Sequence, residues 1–179
     1  MDYKDFVCPD CHYQPLIVED TALICPSCQE KFSIIQSIPL LFPKENLQIQ
    51  LGKHDYSLDD VRELYDKAYE QDGLMGTDLD KNYDQVTKST LLGFANPLSG
   101  KKILDLGTGT GSLWDYTPID VAGYAIDPSH IGAAKAYIKH PNLIISASVG
   151  ESLPFSNNFF DIVIAADTIE HTFSPWILF

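Results

Sequence analysis

Four cysteines arranged as two matching pairs constrain the fold of this chain more than any other feature of its sequence. The pairs are CPDC at residues 8–11 and CPSC at residues 25–28, and the 179 residues contain no further cysteine. Two residues between paired thiolates let the chain turn so that both sulfurs face one tetrahedral cation. A metal-free ribbon and a redox pair are the alternatives. We predict a structural Zn(II) held by Cys8, Cys11, Cys25 and Cys28.

The segment between the pairs has the pattern of one β-hairpin. Residues 15–18 and 22–24 are mostly apolar and flank the acidic turn Glu19-Asp20. The apolar residues 32–43 predict a last strand, which Pro39 should end because proline cannot donate to a strand ladder. A unit this small cannot bury enough apolar area without a metal. We therefore predict a zinc ribbon over residues 1–43.

The charge of the chain limits its partners. It has 12 basic and 25 acidic side chains, a formal net charge of −13, which disfavours nucleic acid and anionic membranes. No apolar run approaches the ~18 residues of a membrane span, and the first residues lack the pattern of a secretory signal. Reduced cysteines also suit a reducing compartment. We expect a cytoplasmic protein that does not enter a membrane.

A polar linker is expected over residues 44–54, followed by two helices separated by Gly73 and Gly76. The first helix should begin after Ser57, with Asp60 completing its cap. Apolar residues at helical spacing predict one buried stripe on each helix. These stripes are Val61, Leu64, Tyr65 and Ala68 in the first helix, and Tyr83, Val86, Thr90 and Phe94 in the second. Two tyrosines of the first helix, Tyr65 and Tyr69, either face the core or close over a ligand.

From residue 101 onward, short apolar strands alternate with turns and one helical segment, as in an α/β domain. The strand at residues 103–106 runs into GTGTG at residues 107–111, and a second strand ends at Asp127. Glycines let a backbone approach a ligand closely, and an acid at a strand tip can accept ribose hydroxyls. Ser112 stands where a dinucleotide-binding loop has its third glycine. This spacing disfavours the rival interpretation, a nicotinamide-dependent oxidoreductase.

Four segments in order, ILDLGTGTG, YAIDPS, ESLPFSNNFFDIVIAAD and TIEH, resemble the class I S-adenosylmethionine-dependent methyltransferases. The cysteine segment resembles small zinc-ribbon proteins that accompany or precede methyltransferases. The resemblance implies an α/β fold, a Rossmann-like methyltransferase sheet with strands 1–4 present, preceded by a small β zinc ribbon. Residues 55–179 would form the N-terminal part of the methyltransferase domain.

The resemblance also implies roles for individual residues. The methionine part of S-adenosylmethionine would be surrounded by Asp105, Gly107, Thr108, Gly109 and Gly111. Asp127 would hold the ribose, and Asp167 would lie at the mouth of the site. Gly150 and Glu151 would lie near the adenine, where relatives carry an acidic residue in place of Val149. That departure implies weaker adenine recognition. His171 is the candidate acid or base; a structural role at the start of a helix is its alternative.

We therefore predict a methyltransferase acting on a small molecule or a protein. A ribosomal-RNA substrate, implied by resemblance to ribbon-bearing guanine methyltransferases, conflicts with the net charge of −4 over residues 1–43. In the family, residues 161–166 would be the fourth of seven strands. We expect further sequence or a partner chain to cover the exposed edge of the sheet. The non-enzymatic alternative is a zinc-ribbon binding module with a partial cofactor fold.

Overall fold

The structure is a computed structural model that describes residues 1–44, 47–51, 54–71, 78–118, 120–173 and 176. Its main elements are a small antiparallel sheet near the N-terminus, a hairpin, three helices and a parallel sheet. Gly73 and Gly76, predicted to separate the first two helices, lie outside the described residues, as do residues 177–179. The α/β fold expected from the sequence is confirmed.

The N-terminal sheet contains the predicted hairpin. It is formed by β1 (Ile17–Glu19), β2 (Ala22–Ile24), β3 (Lys31–Ile35) and β4 (Ile38–Pro39), which pair antiparallel in chain order. Asp20 adopts a φ of 48° in the turn between β1 and β2, a conformation that aspartate tolerates better than most residues. We call residues 1–43 the cysteine-rich unit.

A second hairpin, β5 (Gln48–Leu51) with β6 (His54–Ser57), lies where the sequence analysis expects a polar linker. The sequence QIQL of β5 alternates polar and apolar residues with the period of a strand. The polar composition of the segment obscured this short alternation.

The first helix, α1 (Leu58–Glu70), begins as predicted. Asp60 N donates to Ser57 Oγ at 3.2 Å, and Ser57 N donates to Asp60 Oδ2 at 2.8 Å, so the capping box is complete. The predicted buried stripe of α1 is wrong in part, because Leu64 is exposed and Leu58 is the residue of α1 that is fully buried.

The second helix, α2 (Asp78–Phe94), ends before Asn96 as predicted, but it turns a different face inward. Tyr83, Val86 and Phe94 of the predicted stripe are exposed. The inward positions include Lys88 and Leu92, four residues apart. Leu92 joins the buried cluster on the sheet, and Lys88 lies 3.6 Å from Asp167, which is distant in the chain. Helical periodicity alone does not reveal these contacts.

The parallel sheet consists of β7 (Lys102–Leu106), β8 (Ala122–Asp127), β9 (Ile144–Ala147) and β10 (Ile162–Ala165), in the spatial order β10-β7-β8-β9. The third helix, α3 (His130–Lys139), connects β8 to β9. Because all four strands are parallel, their carboxyl ends meet at one edge of the sheet. In the described part of the chain β10 is an edge strand, and its Val163 is half exposed.

The cysteine-rich unit packs on one face of this sheet. Phe6 and Leu41 share a hydrophobic cluster with Leu104 and Tyr124. The backbone also joins the two parts, since Leu41 N donates to Ala147 O at 2.8 Å, beside the edge of β9. The opposite face is covered by α2, α3 and the 3₁₀ helix at residues 112–115, through a second buried cluster.

Among the helices that the structure describes, none has the length and apolarity required to cross a membrane.

A truncation of Phe6 tests whether the cysteine-rich unit and the sheet share one core. Phe6 is fully buried, and its ring centroid lies 5.3 Å from that of Phe155. We expect Phe6→Ala to lower the free energy of unfolding by about 3–5 kcal/mol in urea denaturation. The exposed Ile138 provides the control, because Ile138→Ala should change this free energy by less than about 0.5 kcal/mol. A loss below about 1 kcal/mol for Phe6→Ala would contradict the shared core.

Candidate cofactor site and cysteine cluster

The four cysteine sulfurs converge at one point. Cys8 Sγ lies 3.6 Å from Cys28 Sγ, Cys11 Sγ lies 3.5 Å from Cys25 Sγ, and all four lie within 4.8 Å of one another. Zn–S bonds of about 2.3 Å in a tetrahedron place sulfurs about 3.8 Å apart. The donor atoms and their spacing therefore fit one thiophilic cation such as Zn(II).

The two cysteine pairs adopt the same turn. His12 follows Cys11 with a φ of 55°, and Gln29 follows Cys28 with a φ of 63°. His12 N donates to Cys8 O at 2.8 Å, and Gln29 N donates to Cys25 O at 2.9 Å. This repetition brings the two halves of the cluster together with equivalent backbone geometry.

The first cysteine pair is hydrogen-bonded to the turn that follows β9. Val7 N donates to Pro154 O at 3.0 Å, and Ser152 Oγ donates to Pro9 O at 2.9 Å. Gly150 and Glu151, in the same turn, line the cavity described below. The cysteine cluster and this part of the cavity wall are therefore directly connected.

A cavity of about 420 Å³ opens at the carboxyl ends of the parallel strands. The loop after β7 approaches it with bare backbone, since Gly107 has a φ of 78° and Gly109 a φ of 53°. A Cβ at Gly107 would overlap the side chain of Thr168, and one at Gly109 would lie 2.8 Å from Tyr69 Oη. A side chain at either position would require Thr168 or Tyr69 to shift, and the positive φ also favours glycine.

Asp127 ends β8 and contributes a buried carboxyl group to the cavity wall. Gly109 N donates to its Oδ2 at 2.7 Å, and Ser129 N donates to its Oδ1 at 2.9 Å. Burial raises the pKa of Asp127 to about 7, although the two backbone donors oppose that rise. The carboxyl group is fixed in position and has lone pairs left for a ligand.

Two of the predicted cofactor residues lie behind the cavity wall. Asp105 is buried and accepts a hydrogen bond from Thr108 Oγ1 at 2.7 Å, so it reaches the cavity through Thr108. Burial raises the pKa of Asp105 to about 6. Gly111 faces α3, where an added Cβ would lie 3.1 Å from atoms of Ala136 and His140. Its small size serves the packing of the loop on that helix.

The other predicted cofactor residues line the cavity directly: Gly107, Thr108, Gly109, Asp127, Gly150, Glu151 and Asp167. Val149 is buried and gives an apolar surface beside Gly150. His171 also lines the cavity, and its ring centroid lies 6.3 Å from that of Tyr65 in an edge-on arrangement.

Helix α1 covers the cavity with Val61, Tyr65 and Tyr69. The structure therefore favours the ligand-facing interpretation of the two tyrosines over the core-facing one. Asp66 fixes the helix in place, because its carboxylate accepts from Ser129 Oγ at 2.5 Å and lies 2.8 Å from His130 Nδ1. His130 is thus partly buried in a contact between α1 and α3.

Asp84 and Lys88 of α2 also line the cavity, and the sequence analysis assigned neither of them. Lys88 Nζ lies 3.6 Å from Asp84 Oδ1 and 3.6 Å from Asp167 Oδ2. Asp84 and Lys88 have the spacing of an ordinary surface ion pair on a helix. Their sequence positions therefore gave no indication that they line a cavity.

Comparisons with known proteins agree with this geometry. Residues 104–179 match a family model described as a methyltransferase domain. Magnesium protoporphyrin IX methyltransferase from Synechocystis PCC 6803, solved with bound S-adenosylhomocysteine, has 19% identity and a TM-score of 0.51. The match covers 63% of this chain and 59% of the other. The family model covers the C-terminal part of the chain, and the solved structure shows that its fold is similar.

A second solved structure has a similar fold. It is a complex between the Trm112 methyltransferase activator and a methyltransferase of Haloferax volcanii, with 19% identity and a TM-score of 0.55. The match covers 66% of this chain and 52% of the other, so this chain spans a little over half the length of either structure. No curated protein matches the sequence.

The raised pKa of Asp127 predicts how stability depends on pH. Its pKa is about 7 in the folded protein against an ordinary 3.8, so the folded state holds this proton more tightly. The stability that this group contributes is complete below about pH 4 and is lost as pH rises through 7. As the pH rises from 5 to 7, the free energy of unfolding of Asp127→Asn should increase relative to that of the wild type by up to about 1.4 kcal/mol per pH unit. Urea denaturation at each pH measures this difference.

Asp161 provides the control for this measurement. It is exposed, and the Lys102 backbone N–H holds its pKa below the usual range, so it stays ionised from pH 5 to 8. Asp161→Asn should therefore differ from the wild type by a constant amount over this range. Parallel pH curves for Asp127→Asn and the wild type would contradict the assignment of a raised pKa to Asp127.

Proposed function

We propose that this chain is a cofactor-binding part of an S-adenosylmethionine-dependent methyltransferase and carries one structural Zn(II). The observation that carries the proposal is the carboxyl group of Asp127. It is buried, held by two backbone N–H groups, and lies in the wall of a cavity beside the glycine loop. A carboxylate at the tip of a second parallel strand is suited to accept two ribose hydroxyls.

We infer the roles of the other cofactor residues from their positions relative to Asp127. Gly107, Thr108 and Gly109 would contact the methionine part, with Asp105 acting through Thr108. Gly150 and Glu151 would lie at the adenine, where Val149 offers an apolar surface and no acceptor. Adenine recognition would then rest on packing and on backbone groups.

S-adenosylmethionine, when bound, supplies a methyl group on a sulfonium centre that a nucleophile can attack in line. For such a transfer the protein mainly positions the reactants, and it needs a base only if the nucleophile must lose a proton. His171 is our candidate for that base, because it lines the cavity beside Tyr65 and histidine is the side chain that most often serves as a general base. Asp167 lies in the same part of the wall.

Four convergent thiolates support the zinc proposal, and a reducing compartment such as the cytoplasm would keep them available for metal. The substrate we propose is a small molecule or a protein, since the net charge of −13 is unfavourable for nucleic acid. A further polypeptide segment, from this protein or from a partner chain, is proposed to pair with β10.

Calorimetric titration with S-adenosylhomocysteine and with NADH tests the cofactor proposal. We expect micromolar binding of S-adenosylhomocysteine and no binding of NADH. Asp127→Ala should weaken the former by ~1.5–3 kcal/mol, the range for hydrogen bonds to charged groups. Asp161→Ala, outside the cavity, should leave the affinity unchanged. Binding of NADH without S-adenosylhomocysteine would reverse the proposal.

Metal removal tests the zinc proposal. Elemental analysis of reduced protein should find one equivalent of zinc in the wild type and in Ser27→Ala, but less than half an equivalent in Cys11→Ser. Cys11→Ser should also bind S-adenosylhomocysteine more weakly, because the cavity turn is hydrogen-bonded to Val7 and Pro9. Retention of both the N-terminal sheet and cofactor affinity after chelation would refute a structural metal.

A further inference from the structure

The outer face of α2 carries no charged side chain. Asp84 and Lys88 are the charged residues between positions 82 and 94, and both turn inward to line the cavity. Every exposed residue in this range, all of which the structure describes, is uncharged. The whole chain is 21% charged and has a net charge of −13. An uncharged face of this length on so acidic a chain has the composition of a contact surface between proteins, where charged residues are depleted.

Large apolar side chains project from this face. Phe94 is 85% exposed, Tyr83 is 64% exposed and Val86 is 61% exposed. At about 100° of rotation per residue these three lie within roughly a quarter of the helix circumference, with Thr90 between them. Thr90 Oγ1 donates to Val86 O at 2.7 Å, so its hydroxyl needs no partner outside the helix. We call these four residues the outer stripe; exposed apolar surface of this kind marks interaction sites.

Gly93 leaves a gap beside the outer stripe. Apart from its chain neighbours and the helix backbone, no described atom lies within 4 Å of the point that a Cβ at Gly93 would occupy. When two α2 helices pack antiparallel with Val86 of each opposite Thr90 of the other, Tyr83 of each lies opposite Gly93 of the other. The ring can then fill the gap, as a knob fits a hole between packed helices. The face is therefore self-complementary, as a two-fold dimer requires.

The charge of the chain indicates which partner suits this face. Two copies with a net charge of −13 repel each other, and contact through an uncharged face avoids placing acids opposite acids. A basic partner would gain nothing from a face without charge. It would instead be attracted to the acidic parts of the surface. A second copy of the same chain is thus the partner that both the shape and the charge favour.

We propose that two copies of this chain form a two-fold dimer through the outer stripe of α2. The inference goes beyond the proposed function and does not depend on it. Covering two partly exposed rings and a valine removes roughly 300–400 Å² per copy from water, since a whole aromatic side chain buries about 150–250 Å². Stable dimers bury about 800 Å² per partner, so this dimer dissociates on dilution. Tyr83 also lines the cavity, so the second copy lies beside one cavity wall.

Sedimentation equilibrium over protein concentrations of about 10 to 500 µM tests the dimer, since interfaces smaller than the standard size associate weakly. We expect a monomer–dimer equilibrium in the wild type. Val86→Asp should raise the dissociation constant at least about tenfold, because it would bury an unpaired carboxylate. Ile138→Asp, on the exposed face of α3, is the matched control and should leave the constant unchanged. A wild type that stays monomeric, or a Val86→Asp variant that dimerises like the wild type, overturns the inference.

A filled gap separates the specific dimer from general apolar association. Leucine at Gly93 has open space in the monomer and a higher helix propensity, so the fold tolerates it. Gly93→Leu adds apolar surface but occupies the place of the partner's Tyr83, and we expect it to raise the dissociation constant. A lower constant for Gly93→Leu would mean non-specific contact and overturns the inference.

The salt dependence of the dimer gives an independent readout. Raising NaCl from about 0.05 to 0.5 M should strengthen the dimer, because salt screens the repulsion between two acidic copies while the interface itself has no ion pair to lose. A dimer that salt weakens would be held by charged contacts on another surface, and this result overturns the assignment to α2. Failure of the protein to bind S-adenosylhomocysteine would end the proposed function and leave the dimer unaffected.

Discussion

The packing of the cysteine-rich unit against the parallel sheet is the interaction on which the rest of the structure depends. Both faces of a parallel sheet must be covered by other elements. Here helices cover one face, and the cysteine-rich unit covers the other. The unit has few buried residues of its own, and several of them, including Phe6 and Leu41, belong to the shared cluster. Neither part has a complete core without the other.

This dependence reaches the cavity through the turn after β9. Ser152 and Pro154 are hydrogen-bonded to the segment that carries the first cysteine pair. Gly150 and Glu151, which come just before them in the same turn, line the cavity. A metal ion held by the four sulfurs would therefore restrain a segment that we assign to adenine. In this chain, a cysteine-rich unit and a methyltransferase-like sheet are joined in one polypeptide.

Local sequence patterns predicted the first hairpin, the strands beside the glycine loop, that loop and the cysteine cluster, because each depends on residues close together in the chain. The short hairpin of β5 and β6 was missed. Asp127 is an example, since the strand that places it and the turn that follows are both local. The inward face of α2 could not be predicted in this way. Its inward residues contact groups far away in the chain, such as Asp167, which lies 3.6 Å from Lys88. Tyr83, Val86 and Phe94 have helical spacing and yet are exposed.

Long-range docking was also outside the reach of sequence patterns. Phe6 packs on Phe155, and Asp66 accepts a hydrogen bond from Ser129. No local pattern in the sequence indicates that these segments contact each other. Tyr65 and Tyr69 show the consequence, because their helical spacing fits a core face as well as a cavity face. Only the placement of α1 over the glycine loop distinguishes the two.

The most direct test of the central claim is a crystal structure of the reduced protein grown with S-adenosylhomocysteine. Our account expects the ligand in the cavity at the carboxyl ends of the strands, with both ribose hydroxyls on the carboxylate of Asp127. A ligand bound elsewhere, or bound in the cavity with its ribose away from Asp127, would contradict it.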